Sequence, residues 1–137
     1  MIGYYVHRRG LGHLHRALAV MAEIDESVAI LSSLPRPASF TGDWVRLPLD
    51  TDIAPIDATA GGALHYWVPV RFRGLSARMG AISRWIDAAH PSALIVDMSV
   101  EVVALVRLHG VNSDRKRCGC RKGRVVRKGS ERWPISR

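Results

Sequence analysis

Along the first 110 positions, short runs of β-branched and aromatic residues alternate with stretches whose apolar positions recur at helical spacing, the pattern of βαβ units around a parallel sheet. Ile2-Gly3-Tyr4-Tyr5-Val6 reads as a first strand and His7-Arg8-Arg9-Gly10-Leu11-Gly12 as a glycine-containing turn. Leu14, Leu18 and Met21 then share one face of a helix running to about Ile24. Val28-Ala29-Ile30-Leu31 is a second strand, stopped by Ser32, Ser33 and Pro35-Arg36-Pro37, and Trp44-Val45-Arg46-Leu47 is a short third. From Pro48 to about Arg71 the periodicity dissolves, and a connection of that length is expected to be functional or disordered. Leu75, Met79, Ile82 and Ile86 restore helical spacing, and Pro91 is expected to close that helix by pushing His90 toward extended geometry. Ala93-Leu94-Ile95-Val96 is apolar on both faces, as a central parallel strand should be. A helix from about Val100 to Leu108 ends at His109-Gly110, where glycine suits the left-handed position past a helix end. Another Val/Ile-rich strand is due next; the chain instead gives Asn112-Ser113-Asp114-Arg115-Lys116-Arg117.

Composition divides the chain at the same point. The 137 residues, 47% hydrophobic and 23% charged, suffice for one core and not for two domains. The net charge of +8 is confined to residues 111–137, where ten basic residues face only Asp114 and Glu131; residues 1–110 carry ten arginines, no lysine and ten acidic residues, and are neutral. We therefore read 1–110 as the folded unit and 111–137 as a basic tail that is disordered or out of frame. Asp97 and Glu101 interrupt the most hydrophobic stretch, so no segment has the length of a membrane span. Ile2 to Val6 reads as a strand, and His13, His15 and Arg16 break the stretch after Arg8 and Arg9, so a secretory signal is not expected and the expected compartment is the cytoplasm. Cys118 and Cys120 both lie in the tail. They cannot staple the body, and without a matching Cys/His set they are too few for zinc, so no metal site is expected.

Two places in the body carry candidate chemistry. Gly10-Leu11-Gly12-His13 joins a strand to a helix, where glycines permit close backbone approach to a ligand and free N–H groups at the helix start favour an anion. The dinucleotide fingerprint needs a further glycine that is missing here, which disfavours a nicotinamide site; the plainer reading is a turn carrying a surface histidine. Asp97 follows the fourth strand directly, a position that also suits a helix cap. In a doubly wound sheet of order 3-2-1-4, however, strands one and four are neighbours and their following helices leave on opposite faces. His13 and Asp97 then share one crevice. An imidazole oriented by a carboxylate is what general-base removal of a hydroxyl proton requires.

Tyr4-Tyr5-Val6-His7, Gly10-Leu11-Gly12-His13, Arg16-Ala17-Leu18-Ala19 and Leu94-Ile95-Val96-Asp97 together resemble the amino-terminal domain of GT-B glycosyltransferases. The resemblance is to the branch that holds the peptidoglycan N-acetylglucosaminyl transferase and macrolide glycosyltransferases. It covers residues 1 to about 110, and the Gly-x-Gly-His turn is its most specific element. It implies a Rossmann-like parallel sheet, an incomplete GT-B amino-terminal domain, that binds a small-molecule or lipid-linked acceptor. It also implies a carboxyl-terminal domain that holds a nucleotide-sugar donor, a co-substrate and the sole small molecule expected besides the acceptor. His13 matches the histidine that serves as base, Asp97 the carboxylate that orients it, and Gly10 and Gly12 the glycines near the donor diphosphate. The connection carrying Asp50, Asp52, His65, Tyr66 and Trp67 falls where acceptor loops vary, and a Tyr-Trp pair can stack on an acceptor or simply pack under a loop. Arg8 and Arg9 are candidates for phosphate or for solvated surface charge. A single domain of this kind is expected to be inactive alone, because donor and acceptor must be held together for transfer.

Arg115-Lys116, Arg121-Lys122 and Arg127-Lys128 recur at regular intervals in the tail. Lysines and cysteines arrive where an apolar strand is due, and we expect a reading-frame change or gene truncation to have replaced the native continuation. The alternative is a basic-tailed nucleic-acid-binding protein whose body only presents the arm. Trp133 is the tail's one aromatic residue, which gives no stacking platform and leaves nucleic acid the less favoured partner.

Overall fold

A computed structural model describes residues 1–9, 11–50 and 73–114. The elements follow in the order β1 (Ile2–Val6), α1 (Leu11–Met21), β2 (Val28–Ser32), β3 (Asp43–Arg46), α2 (Arg73–Ala89), β4 (Ala93–Val96), α3 (Val100–Leu108) and β5 (Asn112–Asp114). All strand pairs are parallel, in the order β3-β2-β1-β4-β5, so the architecture is an α/β, Rossmann-like parallel sheet. Among the described residues, no helix is long and apolar enough to cross a membrane.

Side-chain alternation along the strands builds two cores, one on each face of the sheet. Tyr4 and Val6 of β1 and Ile30 of β2 pack with Leu14, Ala17 and Met21 of α1. Tyr5, Leu31, Leu94 and Val96 pack on the other face with Ile82 and Ile86 of α2 and Val102 and Val106 of α3. Each of these side chains is under a tenth exposed, and burial of each aliphatic one stabilises the fold by roughly 1.5–3 kcal/mol. Gly3 lets α2 approach β1 closely: a Cβ there would stand 2.3 Å from Leu94 Cδ1 and 2.6 Å from Trp85 Cη2. The helices that follow β1 and β4 thus lie on opposite faces, which opens a crevice at the carboxyl ends of these two paired strands.

The structure departs from the sequence reading at several ends. α1 begins at Leu11, so Gly12 lies inside the helix rather than in the turn, and the helix stops at Met21 instead of about Ile24. His90 is not extended. It takes a left-handed conformation at φ 44° after α2, donating its N–H to Ile86 O at 3.0 Å, because reversal past the helix end overrides the preference imposed by Pro91. α3 closes as expected, with Gly110 at φ 72° and paired bonds from Gly110 N to Arg107 O and from Val111 N to Val106 O, the two bonds of a Schellman motif. A fifth strand does form, although Asn112, Ser113 and Asp114 are polar. The folded sheet therefore continues past Gly110, because an edge strand is held by main-chain bonds to β4 and needs no apolar side chains of its own.

Candidate functional site

β1 and β4 end side by side, with Tyr5 opposite Val96, and Asp97 N donates to Tyr5 O at 3.3 Å, so the ladder carries the chain one residue past β4. Met98 follows at φ 60° and Ser99 occupies the N-cap of α3 without a side-chain cap bond. The Asp97 carboxylate is thus not spent as a helix cap. It points instead across the crevice to the first turn of α1, where Asp97 Oδ2 lies 2.6 Å from His13 Nδ1. The second carboxylate oxygen, Oδ1, faces Arg16 at 3.7 Å. Asp97 is 11% exposed and His13 22%, so the pair sits in a partly desolvated setting where a charge-assisted bond is strengthened.

The contact fixes how the imidazole can act. A carboxylate accepts only, so Nδ1 carries the proton in the bond and the Nε2 lone pair remains for a substrate hydroxyl. Among the described residues no hydrogen bond engages His13 Nε2. Tyr4, on the same face of β1 as α1, has its phenol pushed above its ordinary value by burial and by the negative charge of Asp97.

Next to this pair lies a second cluster, of which the sequence reading named Asp50 and Arg8 but not their partners. Arg8 Nε donates to Asp50 Oδ1 at 2.7 Å, which anchors one edge of this guanidinium to the cluster. Arg78, a helix residue only 2% exposed, reaches the other oxygen of Asp50 at 3.3 Å. It also donates to Tyr5 Oη at 2.8 Å, to Ser33 Oγ at 2.6 Å and to Pro48 O at 2.9 and 3.1 Å. Burial pushes the Asp50 carboxyl up, but the Arg8 bond and the charges of Arg78 and Arg8 outweigh it and hold the group below its ordinary range. Burial also holds His7 below its ordinary value, against the pull of Asp50, with Arg78, His13 and Arg8 adding to the lowering. The sequence signal for Arg78 was an arginine on the apolar face set by Ile82 and Ile86, four residues before the first.

The structure also joins Ser83 and Asp87 of α2 to His109 beyond α3, with Ser83 Oγ 2.9 Å from His109 Nε2 and Asp87 Oδ1 3.3 Å from Nδ1. Ser83 sits in the middle of α2, where neighbouring N–H groups are consumed by the helix and none remains to stabilise an oxyanion. This cluster clasps two helices.

Of the other candidate residues, Gly12 is exposed and a Cβ on it would meet nothing within 4 Å, so its lack of a side chain is not demanded by packing within the chain. Gly10, Asp52, His65, Tyr66 and Trp67 lie outside the described residues, as do Cys118, Cys120 and the basic run from Arg115. Among the described residues, no three His, Cys, Asp or Glu side chains gather as a metal site would require. Comparison with protein-family models, with curated proteins and with solved structures finds no match to this chain.

Proposed function

We propose that this chain is the acceptor-side domain of a GT-B type glycosyltransferase, with His13 as the base that takes the proton of an acceptor hydroxyl. The observation that carries the reading is the 2.6 Å bond between His13 and Asp97 at the mouth of the crevice between β1 and β4. In the reaction, the acceptor oxygen bonds to the anomeric carbon of a nucleotide-sugar as the bond to the nucleoside diphosphate breaks. The hydroxyl proton passes to His13 Nε2, and Asp97 stabilises the resulting imidazolium. Gly12 leaves open space on the first turn of α1, suited to close approach of a ligand. The donor would be held by a second domain, and transfer requires both to be present.

The test is an NMR titration of the chain with hydroxyl-bearing acceptors, namely simple glycosides, isoprenoid-linked sugars and macrolide aglycones, followed at the His13 imidazole. One acceptor class should shift the His13 signals, and His13→Ala should abolish nucleotide release once a donor-binding domain is supplied. Signals that move only with DNA or RNA, and only at residues 111–137, would instead favour the nucleic-acid-binding alternative.

A further inference from the structure

The crevice contains a second imidazole, on the turn that follows β1. His7 Nδ1 accepts the backbone N–H of Arg9 at 3.2 Å. A ring nitrogen that accepts cannot also carry a proton, so neutral His7 bears its hydrogen on Nε2. His13 has the opposite arrangement, with Nδ1–H turned to Asp97 and a bare Nε2. His7 Nε2 stands 4.0 Å from Asp50 Oδ2, which is beyond hydrogen-bond length, and that carboxylate is already engaged by Arg8 and Arg78. The donor on Nε2 is consequently unspent among the described residues, in a ring that is 22% exposed.

From this complementary pair of tautomers, and resting on the glycosyltransferase reading above, we infer that His7 is a substrate-positioning residue whose Nε2–H donates to an oxygen of the acceptor sugar or alcohol while His13 Nε2 receives the reacting proton. One histidine would orient the acceptor and the other would deprotonate it. Asp50, fixed by Arg8 from β1's own turn and by Arg78 from α2, sets the electrostatic environment of His7. The groups facing His7 are Asp50, Arg78, His13 and Arg8. Burial, with the two arginines and His13 adding to it, disfavours a charged imidazole against the pull of Asp50, and protonation of Nδ1 would break the Arg9 bond, so His7 is kept as a neutral donor. A lysine or arginine here could not do the same, because neither has an acceptor for the Arg9 N–H, whereas a neutral imidazole receives from its own turn and still donates outward.

The experiment begins with ¹⁵N-resolved imidazole spectra of the full chain near neutral pH. His7 should show a protonated Nε2 and His13 a protonated Nδ1; His7 protonated on Nδ1 overturns the inference whatever the ligand does. The second arm titrates wild type, His7→Gln and His7→Phe with n-octyl β-glucoside and a series of methyl glycosides. Glutamine keeps a donor near the Nε2 position, so His7→Gln should bind within about threefold of wild type, while His7→Phe should bind about tenfold more weakly, the loss of roughly one hydrogen bond. Equal binding by wild type and His7→Phe defeats the role of His7 alone. A wild type whose His13 signals ignore every glycoside, and isoprenoid-linked sugars and macrolide aglycones as well, defeats the acceptor-domain reading itself, and the two failures are thereby told apart.

Discussion

His13 and Asp97 stand 84 positions apart in the chain and 2.6 Å apart in space. Their meeting follows from topology: β1 and β4 pair in parallel, α1 leaves β1 on one face, and the residue after β4 is carried to the same edge by one extra ladder bond to Tyr5. The short bond is the most direct object for testing the site.

Replacing Asp97 by Asn should leave the fold intact, since the carboxylate caps no helix, but should remove the charge that holds the His13 tautomer. A strongly downfield Nδ1–H proton resonance is expected in wild type and should disappear in Asp97→Asn. In a chain supplied with a donor-binding domain, transfer should fall by about 10²–10⁴-fold, the range for impaired general-base catalysis. Unchanged transfer in a folded Asp97→Asn protein would remove His13 from the proposed role.

Arg78 makes an opposite prediction, in which stability responds first. Arg78→Met would leave Tyr5 Oη, Ser33 Oγ, Pro48 O and one oxygen of Asp50 without their donor in a buried setting. The expected cost is about 3–5 kcal/mol, read as a lower urea midpoint. Arg78→Lys should recover only part of it, because an ammonium lacks the planar fork that serves several acceptors at once.

Two glycines should respond with opposite signs to the same substitution. Gly3→Ala forces a methyl group against Trp85 and Leu94 and should destabilise by about 1–3 kcal/mol. Gly12→Ala, on an exposed helical position with open space around it, should stabilise by up to about 1 kcal/mol. If that space belongs to a ligand, the same Gly12→Ala protein will melt higher yet bind acceptor or donor less well.

Acid should weaken the fold in two separate windows. His7 has its folded value lowered from an ordinary 6.5, so between the two values the unfolded chain binds more protons; its contribution is complete above 6.5 and is lost as pH falls toward the folded value. Asp50 is lowered from 3.8, so its contribution is complete above 3.8 and is lost as pH falls further through its folded value. Denaturation midpoints measured stepwise from about pH 7 downward should show the first loss in wild type and not in His7→Gln. An unchanged first step in that variant would assign the loss to another group.

The alternation of apolar runs was enough to place β1, β4 and α3 at their observed limits, and α1 and α2 to within a turn, because each buries one face and the burial period is written into local sequence. The Gly110 cap was equally local: a positive φ past a helix end selects glycine wherever the helix packs. β5 was not legible, since a polar edge strand is specified by β4's unsatisfied main chain and leaves no side-chain pattern. Arg78 was hidden for a related reason. A long arginine on an apolar helix face reads as a surface cation until the buried acceptors Tyr5, Ser33 and Pro48, from three other segments, are brought around it. The sequence by itself thus determined which segments become strands and helices, and that an imidazole and a carboxylate each follow a strand. The expected strand order already put both at one crevice; only the tertiary structure decided that they meet at 2.6 Å and that Asp50 is clamped from two sides, because hydrogen-bond distances between remote segments are set by how the sheet and its helices pack and not by any local preference.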